Sequence, residues 1–218
     1  MELLIIGVVA FALLIAGNGA KIPGGTLHPL VSGVYWIGDS LSASAISPGV
    51  VAINTLKADA RRDGLDIIFG VNAKVGRSAI SFLSEHGSNG FAGVKAALDA
   101  MTVKPNAAVV FLGTNDIGWG TVGDRAAFQK IKDLFDANHV SVVAIGPPVF
   151  DAARLKGANR EKVIETMKGI FPNFLDTTAI SSDLTGARYR TKDGVHFTKE
   201  GAALYGARMA RMIETSGL

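Results

Sequence analysis

Between Val34 and Thr215, short apolar runs alternate with amphipathic stretches in a regular rhythm, and no other property of this 218-residue chain restricts its fold as tightly. Val34–Ile37, Leu65–Val71, Ala107–Leu112, Val140–Ile145 and Asn173–Leu175 read as strands, and short apolar runs of this kind belong in a sheet covered on both faces. Helices are predicted over 48–63, 91–101, 124–138 and 159–171, with a closing one over 198–215 capped by Thr198. Their apolar residues recur at helical spacing, as Val51, Ile53, Leu56 and Ala60 do in the first and Phe128, Ile131, Leu134 and Phe135 in the third. Strand and helix in strict alternation predict an α/β fold: a five-stranded parallel sheet with helices on both faces. In such sheets the chemistry lies just beyond the carboxyl ends of the strands.

Four short blocks fall at those ends. Gly38-Asp39-Ser40-Leu41 follows the first strand, Gly76 lies in the loop beyond the second, and Gly113-Thr114-Asn115-Asp116 follows the third. Asp193-Gly194-Val195-His196 stands just before the last helix. Together they hold a hydroxyl, an imidazole, a carboxylate and a carboxamide, which are the groups acyl transfer at a serine needs. A serine hydroxyl is a poor nucleophile at neutral pH, so it needs an imidazole to take its proton and later to protonate the leaving group. His196 is the one histidine of four with a carboxylate close by in sequence near the strand ends. Asp193, three residues away, can hold its tautomer and stabilise its cation.

Taken singly, each block has a plainer reading. Gly-Asp-Ser can be a turn after a strand, Asn115-Asp116 a cap for a following helix, and Asp193-Gly194 a turn with His196 packed or capping the final helix. Their order, each at a strand end, is what favours chemistry.

The series Gly-Asp-Ser-Leu, a lone glycine after the second strand, Gly-Thr-Asn-Asp, and Asp-x-x-His before the C-terminal helix resembles the SGNH/GDSL family of serine hydrolases, from about Tyr35 to the C-terminus. The resemblance implies a flavodoxin-like three-layer α/β/α sandwich and metal-independent hydrolysis of esters or thioesters. It implies Ser40 as nucleophile, His196 as base and Asp193 as its orienting acid. The oxyanion hole would be the backbone N–H groups of Ser40 and Gly76 with the side-chain amide of Asn115. The second block, Asn72-Ala73-Lys74-Val75-Gly76-Arg77-Ser78, lacks the further glycines that many members carry there. The short connection over 176–192 favours an open, shallow site over a lidded tunnel. Asp39 and Trp119 are expected to line the substrate site.

Other classes are disfavoured. Gly118-Trp119-Gly120-Thr121-Val122-Gly123 matches the dinucleotide fingerprint in letters, but it follows the third strand and lacks the acidic residue about 20 positions on. A flexible loop beside the site fits it better. His28, His86 and His139 show no ligand spacing with carboxylates, and without cysteine there is neither a disulfide nor a thiolate site, so no metal or cofactor is expected. The net charge of +3 is scattered, against the one-sided basic face that nucleic acid requires. At 48% hydrophobic residues, the chain can bury one catalytic core by packing alone.

The N-terminus stands apart. Leu3 to Ala16 carries no charge, and as an apolar helix it would reach about 21 Å, short of the roughly 30 Å hydrocarbon core of a bilayer. Three readings stay open: a membrane anchor, a cleaved secretory signal whose basic n-region is replaced by Glu2, or a buried core helix. The expected plan is an apolar segment over 1–20, a linker over 21–33 and the hydrolase domain over 34–218, membrane-associated or exported. The leading expectation is a serine esterase for short acyl groups such as acetyl, acting on an envelope polysaccharide or lipid. The alternatives are an O-acyltransferase and a non-catalytic, membrane-tethered module of an envelope or virion assembly.

Overall fold

β1 (Gly33–Gly38) lies one place in from the edge of a parallel sheet ordered β2-β1-β3-β4-β5, with β2 (Ile68–Ala73), β3 (Ala107–Phe111), β4 (Ser141–Ile145) and β5 (Asn173–Leu175). The computed structural model describes residues 33–118, 125–151 and 158–216, all within Val31–Leu218, the second of the two units into which the chain divides. The chain leaves β1 first to one side and then to the other, which makes the β1/β3 boundary the topological switch point of a flavodoxin-like order. The register levels the strand ends there: Gly38 pairs with Ala73 on one side and with Phe111 on the other. Ser40, Gly76 and Asn115 therefore follow their strands within a few residues of one common line.

Alternation along the strands sorts side chains to two cores, because successive residues of a strand face opposite sides. Ile37, Ala108, Val110, Val142 and Ala144 pack against α2 (Ala79–Ser84), α3 (Phe91–Ala100), α5 (Arg125–Asp136) and α6 (Ala158–Lys168). Trp36, Val109, Phe111, Val143 and Ile145 pack against α1 (Pro48–Arg62) and α8 (Lys199–Thr215). Two short helices, α4 (Thr114–Gly118) and α7 (Thr178–Ser181), follow β3 and β5. Both faces of the sheet are covered, as the alternation predicts.

Two strands begin later than their apolar runs suggest, and for one reason. At the end of α1, Gly64 takes φ 76° and the Leu65 N–H bonds the Ala60 carbonyl while Gly64 N–H bonds Arg61, a Schellman closure. Leu65 is consumed by that closure, so β2 starts at Ile68. α5 ends the same way, with His139 at φ 57° and Val140 N–H on the Phe135 carbonyl, and β4 starts at Ser141. The expected apolar helix over residues 1–20 lies outside the described residues. Among the described residues, no helix is long and apolar enough to cross a membrane.

Candidate active site

The last block is a tight hairpin. Thr191 N–H bonds the His196 carbonyl, Thr198 N–H bonds the Tyr189 carbonyl, and Gly194 turns the chain at φ 68°. Asp193 builds this turn and serves its imidazole at once. Its Oδ1 accepts from the Val195 N–H at 2.8 Å, the His196 N–H at 3.0 Å and the Thr191 hydroxyl at 2.8 Å, an Asx-type closure. Its Oδ2 meets His196 Nδ1 at 2.6 Å. Burial raises the Asp193 pKa, but the bonds from the His196 ring, the two N–H groups and Thr191 outweigh it and hold the carboxyl far below the ordinary range. An ionised Asp193 on Nδ1 fixes the tautomer that leaves Nε2 able to accept a proton.

Arg190 pins the hairpin from below. Only 2% exposed, it donates from Nε to the Leu184 carbonyl at 3.0 Å, from Nη1 to the Val195 carbonyl at 2.7 Å and from Nη2 to the Val149 carbonyl beyond β4. Its guanidinium lies 3.5 Å from the Phe197 ring centroid. Burial pulls its pKa down to about 10, a value that keeps it cationic at neutral pH. The Asp151 N–H bonds the Gly194 carbonyl at 3.0 Å, tying the turn again to the loop after β4.

At the other blocks, β1 delivers Ser40 as the first residue of a single 3-10 turn over Ser40–Ser42. Asp39 caps that turn, accepting the Leu41 N–H at 2.8 Å. Gly38 has no room for a side chain, since a Cβ there would come within 2.6 Å of Ser42. Ser40 is half-buried, and among the described residues its hydroxyl forms no hydrogen bond. The second block closes as a turn from Lys74 to Arg77, with Arg77 N–H on the Lys74 carbonyl at 3.3 Å and Gly76 third at φ 76°. That position of a type II turn requires glycine, and the turn's own bond leaves the Gly76 N–H out. The third block joins the second: Asn115 Nδ2 donates to the Arg77 carbonyl at 3.0 Å, and Asp116 receives the Ala79 N–H at the start of α2 on both oxygens, at 3.0 and 3.1 Å. The first meets the second through Lys74 N–H on the Gly38 carbonyl at 3.2 Å.

Asp39, expected to line the substrate site, is fully buried, and its Oδ1 accepts the Leu41 N–H in the turn beneath Ser40. Burial pushes its pKa up to about 6, against the Leu41 N–H, the Thr114 hydroxyl and the charges of His196 and Arg77, which favour the ionised form. Among the described residues, the buried Asp39 Oδ2 and Thr114 Oγ1 both lack a hydrogen-bond partner.

A raised carboxyl pKa carries a definite sign. Relative to a neutral residue, stability is whole below the unfolded value of 3.8, falls as pH rises, and is lost once pH passes about 6. Asp39→Asn keeps an oxygen for the Leu41 N–H and brings an amide that can use Thr114 Oγ1. It should therefore be more stable than the wild type at pH 7.5, by up to about 3 kcal/mol, and show no such gain at pH 3.5. Urea unfolding at the two pH values checks it, and an equal difference at both would refute the linkage.

Trp119 lies outside the described residues, as does most of the loop that mimics the dinucleotide motif. Sequence reasoning passed over Arg77, Arg190 and Asp116, which hold the blocks in place. An arginine destined for burial reads like any surface arginine, although a basic residue flanked by Gly76 and Ser78 in a block of the motif series was a usable cue.

No protein-family model and no curated protein sequence matches the chain. Solved structures do. A lipase/acylhydrolase from Enterococcus faecalis superposes with a TM-score of 0.60 at 20% identity, over 84% of this chain and 95% of that one. A protein from Slackia heliotrinireducens assigned as an SGNH hydrolase gives 0.59 at 17% identity, over 84% and 99%. The aryl esterase of M. smegmatis gives 0.56 at 14%, over 84% and 99%. The chain thus has the fold of the SGNH/GDSL hydrolases, as its motif blocks imply.

Proposed function

We propose that this protein is a serine ester hydrolase, with Ser40 as nucleophile, His196 as base, Asp193 as its orienting acid, and an oxyanion hole formed by the Ser40 and Gly76 N–H groups and the Asn115 amide. The observation that carries the reading is the Asp193–His196 pair at 2.6 Å, on a hairpin that Arg190 and the Asp151 N–H tie to the loop after β4, the strand next to the one that Asn115 follows. The names of structures with this fold, lipase, acylhydrolase and esterase, agree with it.

In this mechanism the Ser40 proton passes to His196 Nε2 as Oγ bonds the ester carbon, and the carbonyl oxygen takes the negative charge. Donors aimed at that oxygen are each worth about 2.7–4 kcal/mol in comparable sites. The ester C–O bond then breaks, the leaving alcohol receives the proton from His196, and water repeats the sequence on the acyl-serine. Asp193 and His196 have side chains 43% and 42% exposed, which supports an open site suited to short acyl groups such as acetyl.

A fluorophosphonate probe tests the reading directly. Wild-type protein should be labelled at Ser40 and should hydrolyse p-nitrophenyl acetate. Protein that is folded but neither labelled nor active would refute it.

A further inference from the structure

We propose that Arg77 is the positioning residue of the oxyanion site: its buried guanidinium fixes the turn that bears Gly76, and its main-chain carbonyl fixes the Asn115 carboxamide. The inference rests on the hydrolase reading of Ser40, Gly76 and Asn115.

The Arg77 side chain is 1% exposed, an expensive place for a charge, and among the described residues both of its Nη groups are bonded while Nε has no partner. Nη1 donates to the Asn72 carbonyl at 2.7 Å, to Asn72 Oδ1 at 2.9 Å and to the Gly38 carbonyl at 3.4 Å. Nη2 donates to Glu85 Oε2 at 2.7 Å and to the Asn89 carbonyl at 3.3 Å, and the guanidinium lies 5.2 Å from the Phe82 ring centroid. One planar fork thus ties the end of β2, the residue two before Ser40, and the C-terminal end of α2. Packed apolar side chains often match buried ion pairs in stability, so stability alone gives little reason for an arginine here. Its directional bonds do something apolar packing does not: they set where the Lys74–Arg77 turn sits relative to Gly38.

The main chain of the same residue completes the arrangement. Its N–H closes the turn that leaves the Gly76 N–H out. Its carbonyl accepts one N–H of Asn115 at 3.0 Å. That bond also decides the amide orientation, since the Asn115 oxygen would be repelled by another carbonyl, and it turns the second N–H of Nδ2 away from Arg77. Both donors assigned to the oxyanion thereby take their placement from Arg77, which itself touches no substrate.

The test uses the full chain and counts competent sites by fluorophosphonate titration, so that misfolded protein is excluded. Arg77→Gln should lower kcat per titrated site about 10- to 100-fold, the cost of misplacing donors by about an ångström, while KM for p-nitrophenyl acetate changes less than about threefold. Arg77→Lys should recover part of the loss, because an ammonium keeps the charge and loses the fork. Asn115→Ala alone should cost about two to three orders of magnitude in kcat. In that background, adding Arg77→Gln should cost less than it does alone, because one of the two donors it places is gone and only the Gly76 N–H is left to misplace. Wild-type kcat per titrated site in Arg77→Gln, or losses that multiply in the double variant, would overturn the proposal. Should Arg77→Gln fail to fold, Glu85→Gln weakens the same fork, and faster hydrogen exchange of the Asn115 side-chain amide by NMR is then expected. Unchanged exchange there would overturn it equally. Wild-type protein without label or turnover would refute the hydrolase reading instead, and the amide-exchange measurement separates that failure from this one.

Discussion

Ser40→Ala is expected to remove p-nitrophenyl acetate turnover by at least about three orders of magnitude, because the acyl group then has no oxygen to transfer to and only the binding and oxyanion groups remain. The same substitution should move Tm by no more than about 2 °C. Ser40 is half-buried at the start of its turn, the turn is capped by Asp39 rather than by Ser40, and among the described residues its hydroxyl forms no hydrogen bond. Deleting Oγ therefore leaves no buried group unpaired, the usual source of large stability losses. Activity and thermal denaturation on one preparation check both halves, and full turnover in a folded Ser40→Ala protein would end the hydrolase reading.

The contrast between Ser40 and its neighbours shows what the sequence carried. Strand-helix alternation and the placement of the blocks at strand ends are set by hydrophobic periods, and these survive folding: β5 is Asn173–Leu175 as the pattern indicates, and α3 begins at Phe91. Strand starts were less legible, because Leu65 and Val140 are claimed by helix closures that apolar content does not reveal. α2 was also missed. It has six residues, too few for a period, and its capping box is Ser78 with Ser81 in place of the glutamate that would have announced it. The residue types of the candidate site could be read from the motif series, whereas of the supports beneath it only Arg77, set between Gly76 and Ser78, left a cue. Burial of Arg77 and Arg190 depends on carbonyls brought together from distant stretches, and the inward turn of Asp39 depends on the 3-10 turn that follows it.

Asp193 tests the link between hairpin and chemistry most sharply. Asp193→Asn preserves one oxygen, enough to accept the Val195 and His196 N–H groups and the Thr191 hydroxyl, so the turn should form and α8 should keep its Thr198 cap. What changes is the atom facing His196 Nδ1. A carboxylate oxygen accepts the Nδ1 proton, whereas the Asn amide nitrogen donates, so Nδ1 becomes the acceptor and the ring proton moves to Nε2. On the hydrolase reading, the imidazole then offers Ser40 a proton where a lone pair is needed, and the cation formed in the transition state loses its counter-charge. By analogy with the same change in serine proteases, kcat should fall by about four orders of magnitude while the fold is retained. Added hydroxide should restore part of the rate, since a base in solution can then take the serine proton that the misoriented ring refuses. A rising pH–rate profile for Asp193→Asn, set against the wild-type profile on the same substrate, reads this out. A loss of less than tenfold with an unchanged profile would show that Asp193 only folds the turn, leaving some other group to orient the imidazole.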